Sequence, residues 1–327
     1  MKILITGSSG HLGEALVRTF RGLDHEVVST DIRPSDYTTK LGSIADRAHV
    51  KRCLEGVEAV IHTATLHKPH VATHSYQDFV DTNITGTLHL LEEAVAAGVQ
   101  SFVFTSTTST FGDALTPPVG APAVWITEEV TPIPKNIYGV TKVAAENLCT
   151  LFHRNHGLPC VVLRTSRFFP EEDDLKLNRQ TYQDGNSKAN EFLYRRVDIE
   201  DVVSAHELAL ERASALGFGR YIISATTPFT PDDLAELNGH APLVVKRLFP
   251  DYEEVYAPYG WNMFPAIERV YVNERAQEAL AWRPIYDFRH VLDSLKAGTD
   301  PRSPLARAVG SKGYHARRFH DGPYPTR

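Results

Sequence analysis

Ile3-Leu-Ile-Thr-Gly7-Ser-Ser-Gly10-His-Leu-Gly13 passes from an apolar, strand-like run through a glycine turn into the start of an apolar-periodic helix. Each glycine has its own physical task. Gly7 permits a tight turn, Gly10 lets the backbone approach a pyrophosphate, and Gly13 allows helix and strand to pack closely. The N–H groups bared at a helix start, with the helix dipole behind them, hold a diphosphate. Gly7, Gly10, His11, Leu12 and Gly13 are therefore the expected dinucleotide-binding segment. The spacing is GxxGxxG rather than GxGxxG, so a turn with incidental glycines is the competing reading. A strand before it and a helix after it favour the nucleotide.

Short β-branched runs alternate with helical patterns through the rest of the first half. Lys2–Thr6, Glu26–Thr30, Ala59–His62, Ser101–Thr105 and Cys160–Arg164 read as strands. His11–Arg21, the stretch from Ser75 to Ala97, and Tyr138–His156 read as helices. The alternation predicts an α/β fold, a doubly wound parallel sheet with helices on both faces. Further on, Arg220–Ser224 reads as a strand, and Asp232–Asn238 and Glu274–Ala281 as helices. Scattered Pro and Gly after Thr226 suggest a smaller, loop-rich lobe. The expected division is a nucleotide-binding domain over 1–165, rejoined by 196–225, and a small substrate lobe from 166–195 and 226–298. The tail over 299–327, rich in Pro, Gly and Arg, reads as a poorly ordered terminus.

Composition narrows the function class. The 327 residues are 42% hydrophobic and 23% charged, with net charge −6, which gives no reason to expect a nucleic-acid partner. No run of 18 or more apolar residues is present, so no membrane-spanning helix is expected. The N-terminus lacks a cleavable signal pattern, and Cys53, Cys149 and Cys160 form no CxxC pair. A cytoplasmic protein is expected.

Asp31 closes the second strand, 18 residues beyond Gly13. A carboxylate there accepts hydrogen bonds from ribose hydroxyls and repels a 2′-phosphate, favouring NAD over NADP; a capping aspartate is the alternative. Arg33, nearby, could pair with such a phosphate. In Asn136-Ile-Tyr-Gly-Val-Thr-Lys142, Tyr138 and Lys142 stand four apart and share one helix face. A lysine ammonium beside a tyrosine favours the phenolate and can lower its pKa towards that of a useful base. Ser106-Thr-Thr-Ser-Thr-Phe-Gly112 follows the strand Ser101–Thr105, placing hydroxyls where parallel sheets bind ligands. By itself the run could equally be a polar loop capping a helix.

Taken in this order, Gly7/Gly10/Gly13, Asp31, the Ser/Thr run and Tyr138-x3-Lys142 resemble the extended short-chain dehydrogenase/reductase family, the NAD-dependent epimerase/dehydratase group. Four further stretches match: His62-Thr-Ala64, Asn83-Ile-Thr-Gly-Thr87, Arg196-Val-Asp-Ile-Glu-Asp-Val202 and Trp282-Arg-Pro284. The resemblance covers about residues 1–295. It implies a modified Rossmann fold with a smaller C-terminal lobe, NAD as cofactor, and a homodimer formed through the two long helices. It also implies that Tyr138 is the acid/base, that Lys142 binds the nicotinamide ribose, and that Thr107 hydrogen-bonds the reacting oxygen. Ala64 and Asn83 join the implied cofactor-binding set.

Three departures restrict the substrate. Thr107 is followed by Thr108 and Ser109 where the family's dehydratases carry an Asp-Glu pair, which disfavours elimination. Only 31 residues separate Arg164 from Arg196, fewer than nucleotide-sugar epimerases spend on cradling the nucleotide, and the segment begins with the acidic Glu171-Glu-Asp-Asp174. No Arg-x-Gly-Asp element is present. His67, His70 and His74 follow the third strand; on one continuous helix they would share a face, which raises a metal reading. Pro69 argues for a helix that starts only there, removing His67 from that face, so substrate hydrogen bonding is preferred, structural histidines are the alternative, and no metal is expected. Thr108 and Arg167 are further candidate substrate contacts, and Arg167 could equally tie the lobes together. Trp261 and Phe264 read as core of the small lobe. The leading expectation is an NAD-dependent oxidoreductase or epimerase acting on a secondary hydroxyl of a sugar or nucleotide sugar. The alternatives are a simple dehydrogenase of a small sugar, sugar acid or hydroxy compound, and a non-catalytic NAD-binding sensor.

Overall fold

A computed structural model describes residues 1–315 together with Phe319, Gly322 and Tyr324. The chain opens with β1 (Lys2–Thr6), α1 (His11–Gly22), β2 (Glu26–Asp31), β3 (Lys40–Leu41), α2 (Arg47–Cys53) and β4 (Ala59–His62). Next come α3 (Tyr76–Phe79), a π-turn over Val80–Thr85, α4 (Gly86–Ala97), β5 (Ser101–Thr107) and β6 (Val124–Ile126). Then follow α5 (Ile137–His156), β7 (Cys160–Thr165), α6 (Lys176–Thr181), α7 (Asp184–Glu191), α8 (Ile199–Leu216) and β8 (Phe218–Ile223). The remainder holds α9 (Leu234–Leu248), α10 (Tyr252–Tyr256), β9 (Arg269–Tyr271), α11 (Glu274–Leu280), α12 (Phe288–Lys296) and α13 (Pro304–Val309).

Seven strands form one sheet in the order β3-β2-β1-β4-β5-β7-β8, every pair parallel. Parallel sheets need cover on both faces, so their strands carry near-continuous apolar runs. Ile3, Leu4 and Ile5 are buried together, with alternate side chains joining different cores. Ile3 and Ile5 pack under α1 and α8, and Leu4 packs towards α2, α4 and α5. The chain reverses direction across the sheet between β1 and β4, which opens a crevice beyond the carboxyl ends of the strands.

A third core, including Leu193, Leu237, Val244, Tyr256, Phe288 and Leu292, builds the small lobe. β6 and β9 pair in parallel within it, Val124 opposite Arg269 and Ile126 opposite Tyr271. Phe264 belongs to this core and Trp261 packs against it, as their size suggests. Packing draws the lobe boundary differently from the chain divisions expected above. α11, Trp282 and Val309 of α13 pack with α1 and α8 on the sheet, while Ala123 lies in the small-lobe core. Asp201 fixes that arrangement: its carboxylate accepts the N–H groups of Ile285 and Tyr286, both at 2.9 Å.

The expected helix from Ser75 to Ala97 forms as α3 and α4 with the π-turn between them. Asn83, buried in that wider turn, is the reason to note it. α5 starts where Asn136 caps it, its Oδ1 accepting from Gly139 N at 3.2 Å. It ends at Gly157, whose φ of 69° suits the left-handed cap. The cap places Tyr138 in the first turn and Lys142 one turn later, on the face towards β5.

Candidate active site

A cleft of roughly 970 Å³ runs along the carboxyl ends of the strands, bounded by the glycine turn, α5 and the small lobe. The first amides of a helix have no partner within it, and Gly10 caps α1 without a side chain, so the amides of His11 and Leu12 border the cleft bare. Gly7 sits at φ 75°, and a Cβ there would lie 2.8 Å from Ala64 N. At Gly13 a Cβ would fall 1.9 Å from Gly7 O, so strand and helix touch as the motif requires. At Gly10 the nearest atom to a Cβ is Gly7 O at 3.3 Å, so its outer side is open. Asp31 holds the turn to β2: Oδ2 accepts from Ser9 N at 3.0 Å and Oδ1 from Arg33 N at 2.9 Å. Each carboxylate oxygen keeps a lone pair for a ribose hydroxyl. This cradle fits the adenosine and diphosphate of a dinucleotide.

Tyr138, Lys142 and Thr107 come together opposite the cradle, all lining the cleft. Burial pushes the Tyr138 phenol up to about 12, with the neighbouring Thr107 hydroxyl opposing. That direction is opposite to the one expected from the tyrosine–lysine spacing. The reason is geometric: the Lys142 ammonium donates to Thr105 O at 2.7 Å and lies 4.0 Å from the Phe104 ring centre. Burial brings Lys142 itself down to about 7, with Glu146 opposing. Glu146, fully buried one turn further on, accepts from Arg164 Nη2 at 2.7 Å and Ser106 Oγ at 2.6 Å. That ion pair underlies the floor of the site.

Two expected cofactor contacts take different positions. Ala64 lines the cleft and donates its N–H to Thr6 Oγ1 at 3.1 Å. Asn83 does not line the cleft with free valence. Its Oδ1 accepts from Leu66 N at 2.8 Å and Thr65 Oγ1 at 2.9 Å; its Nδ2 donates to Leu66 O and Thr141 Oγ1, both at 2.9 Å. All four bonding positions are used, so in this arrangement Asn83 staples the β4 loop to α5.

The histidine loop forms a short 3-10 turn over Lys68–His70, with His67 before it. His67 and His70 meet edge-on at 4.9 Å, and His70 and His74 at 5.0 Å. Among the described residues no group of three or more His, Cys, Asp or Glu side chains is placed to hold a metal ion. Burial pushes His67 well below its usual range and His70 down to about 4, so both present neutral rings. His67 lies 6.4 Å from Tyr138, ring centre to ring centre. Thr108 also lines the cleft. Arg167 does too, but its charge is engaged with Asp173 at 3.0 Å, Glu191 at 3.2 Å and Asp174 at 3.6 Å.

The described part of the tail, up to His315, is held in place, where composition suggested a loosely held terminus. From Gly310 to His315 it crosses the cleft as a strap. Glu171 collects it: Oε1 accepts from Ser311 Oγ at 2.8 Å, Gly313 N at 3.1 Å and Lys312 N at 3.2 Å, and Oε2 from Tyr314 OH at 3.2 Å. The same Oε1 meets His11 Nε2 at 2.8 Å, and Lys312 also pairs with Glu14. Burial alone would raise Glu171; the His11 and Ser311 bonds override it and take it down to about 2. Tyr314 packs edge-on against His67 at 4.7 Å, and His315 Nε2 donates to Pro69 O at 2.9 Å. Tyr314, Phe319 and Tyr324 were the available signal, since aromatics are sparse in disordered chains. The other tail residues, 316–318, 320, 321, 323 and 325–327, lie outside the described set.

Comparison with known proteins adds to this geometry. A profile of the NAD dependent epimerase/dehydratase family matches residues 3–223. The chain is 29% identical over 185 residues to a Bacillus subtilis protein called "Uncharacterized UDP-glucose epimerase YtcB", covering 50% of this chain and 55% of that one. It is 29% identical over 177 residues to the NAD-dependent glucose-6-phosphate dehydrogenase of Haloferax volcanii, covering 50% of this chain and 66% of that one. The matches thus span between about half and two thirds of these curated relatives. In fold it is similar to a short-chain dehydrogenase/reductase superfamily protein from Agrobacterium tumefaciens solved with bound NAD. There the TM-score is 0.64 at 22% identity, over 94% of this chain and 99% of that one.

Proposed function

The chain belongs to the NAD dependent epimerase/dehydratase family, and from that premise we propose that it oxidises a secondary hydroxyl of a sugar-type substrate, with Tyr138 as acid/base. The observation that carries the reading is the convergence of Tyr138, Thr107 and Lys142 on the cleft wall facing the glycine cradle. Bound NAD supplies the hydride acceptor and, when oxidised, a positive ring that favours a nearby phenolate. Thr107 shares the substrate oxygen with Tyr138 and fixes its direction. Tyr138 takes the hydroxyl proton as the carbinol carbon becomes a carbonyl and returns it in the reverse step. Lys142, held by Thr105 O, keeps a donor at the ribose side. Asp31, with acceptor capacity left on each oxygen, favours NAD over NADP. Exposed Tyr76, Val140 and Leu151 on α3 and α5 suit the dimer surface implied by the family.

Turnover is tested by following NADH at 340 nm with aldoses, uronates, sugar phosphates and nucleotide sugars, together with product stereochemistry. At least one carbohydrate is expected to be oxidised or epimerised; failure of all of them would remove the reading. The strap favours the redox-neutral, epimerase version, because a segment latched across the cleft retards nucleotide exchange. Deleting 310–327 or introducing Glu171→Gln is then expected to lower the nucleotide retained through gel filtration several-fold. Equal retention in both variants and the parent would remove that preference. Among the described residues no helix is long and apolar enough to cross a membrane.

A further inference from the structure

Buried polar atoms almost always find partners, so those that do not call for an explanation. Among the described residues, three that line the cleft carry such orphans: Ser166 Oγ, Arg195 Nε and Arg269 Nε. All three are donors, and Ser166 is only 3% exposed. They come from neighbouring segments bonded side by side. Arg167 N donates to Arg195 O at 3.2 Å, and Tyr271 N donates to Tyr194 O at 3.0 Å, which aligns the end of β7, the segment after α7, and β9.

Most cations lining the cleft already have a carboxylate partner: Lys68 pairs with Asp174, Lys135 with Asp113 and Lys312 with Glu14. At the small-lobe end, Glu191 engages Arg195 at 2.8 Å and Arg196 at 2.8 Å as well as Arg167. Arg269 is the least committed cation there: its partner is Glu268 at 3.2 Å, a half-exposed carboxylate.

We propose that Ser166, Arg195 and Arg269 form an anion subsite that takes the terminal carboxylate or phosphate of a compact sugar held against Tyr138. The inference deepens the redox reading above and rests on it for the placement of the sugar. Guanidinium and hydroxyl donors together match the oxygens of either group, and guanidinium does so by paired bonds. Asp174 and Glu172 line the same cleft, and their charge disfavours a second anionic group such as the rest of a nucleoside diphosphate.

The test is calorimetric titration of the full chain loaded with NADH, using D-glucuronate, glucose 6-phosphate, glucose and UDP-glucose as probes. Glucuronate, glucose 6-phosphate or both are expected to bind at least ten-fold more tightly than glucose, and which of them does so identifies the anion. Arg269→Gln is expected to weaken the preferred anion by about ten- to a hundred-fold, the loss typical of a hydrogen bond to a charged group, and to leave glucose unchanged. Arg269→Lys should restore part of the loss. Tighter binding of UDP-glucose than of either monosaccharide anion, equal binding of glucose, or no binding by any probe would overturn the subsite. So would an Arg269→Gln effect equal for glucose and the anions. Binding of an anionic sugar with neither NADH formation nor an epimerised product in the turnover assay would support the subsite and remove the redox reading, so the two failures are distinguishable.

Discussion

Tyr138→Phe is expected to lower turnover by about 10²- to 10⁴-fold, the usual contribution of a positioned acid/base, with nucleotide binding unchanged. The substitution removes one oxygen and keeps the ring, so packing at this buried position is preserved. What is lost is the group that meets Thr107 and faces the cleft. Because burial holds the phenol at about 12, the parent enzyme should speed up as pH rises through the alkaline range. The variant should lose that dependence along with the rate. Measuring kcat from pH 6 to 10 for both proteins, with NADH binding by fluorescence, checks the pair of claims. Full turnover by the variant would support a chain that binds NAD without using this tyrosine.

The second large effect is on stability. Glu146→Ala leaves Arg164 as a buried guanidinium facing no carboxylate, since Glu146 receives Arg164 at 2.7 Å and Arg220 at 3.3 Å. Removing one partner of such a pair costs about 3–5 kcal/mol, a large share of a stability of about 5–15 kcal/mol. Urea unfolding at neutral pH measures it, and a loss below about 1 kcal/mol, the range of an exposed ion pair, would contradict the account. Glu146→Gln separates charge from shape. It keeps an acceptor for Ser106 but removes the charge that opposes the fall of Lys142, so Lys142 should titrate below about 7. Activity near neutral pH should then shift with the lysine's protonation, which a purely structural role for Glu146 would not produce.

The parts of this molecule that were readable in the sequence are those whose physics is local. The strands β1, β2, β4, β5 and β7 announced themselves as short apolar runs between turn residues, and α5 as a capped segment with Tyr138 and Lys142 on one face. The glycine turn was readable because close backbone approach demands glycine whatever else surrounds it. α8 was legible only at its first residues, within the Arg196–Val202 motif, although its apolar face packs on the sheet. β6 and β9 are three residues each and are strands only because Val124 meets Arg269 across a long stretch of intervening chain.

The site divides along the same line. By itself the sequence determined the family, the glycine turn and the Tyr138–Lys142 and Thr107 positions that line the cleft, because each depends on spacing within one turn or one strand end. Only the tertiary structure decided the sign of the Tyr138 shift, the structural duty of Asn83, the strap latched on Glu171, and the orphaned donors of Ser166, Arg195 and Arg269. Burial, saturation of hydrogen-bonding valence and the meeting of distant charges are sums over neighbours from separate segments. Such sums have no value until the chain has folded and chosen those neighbours.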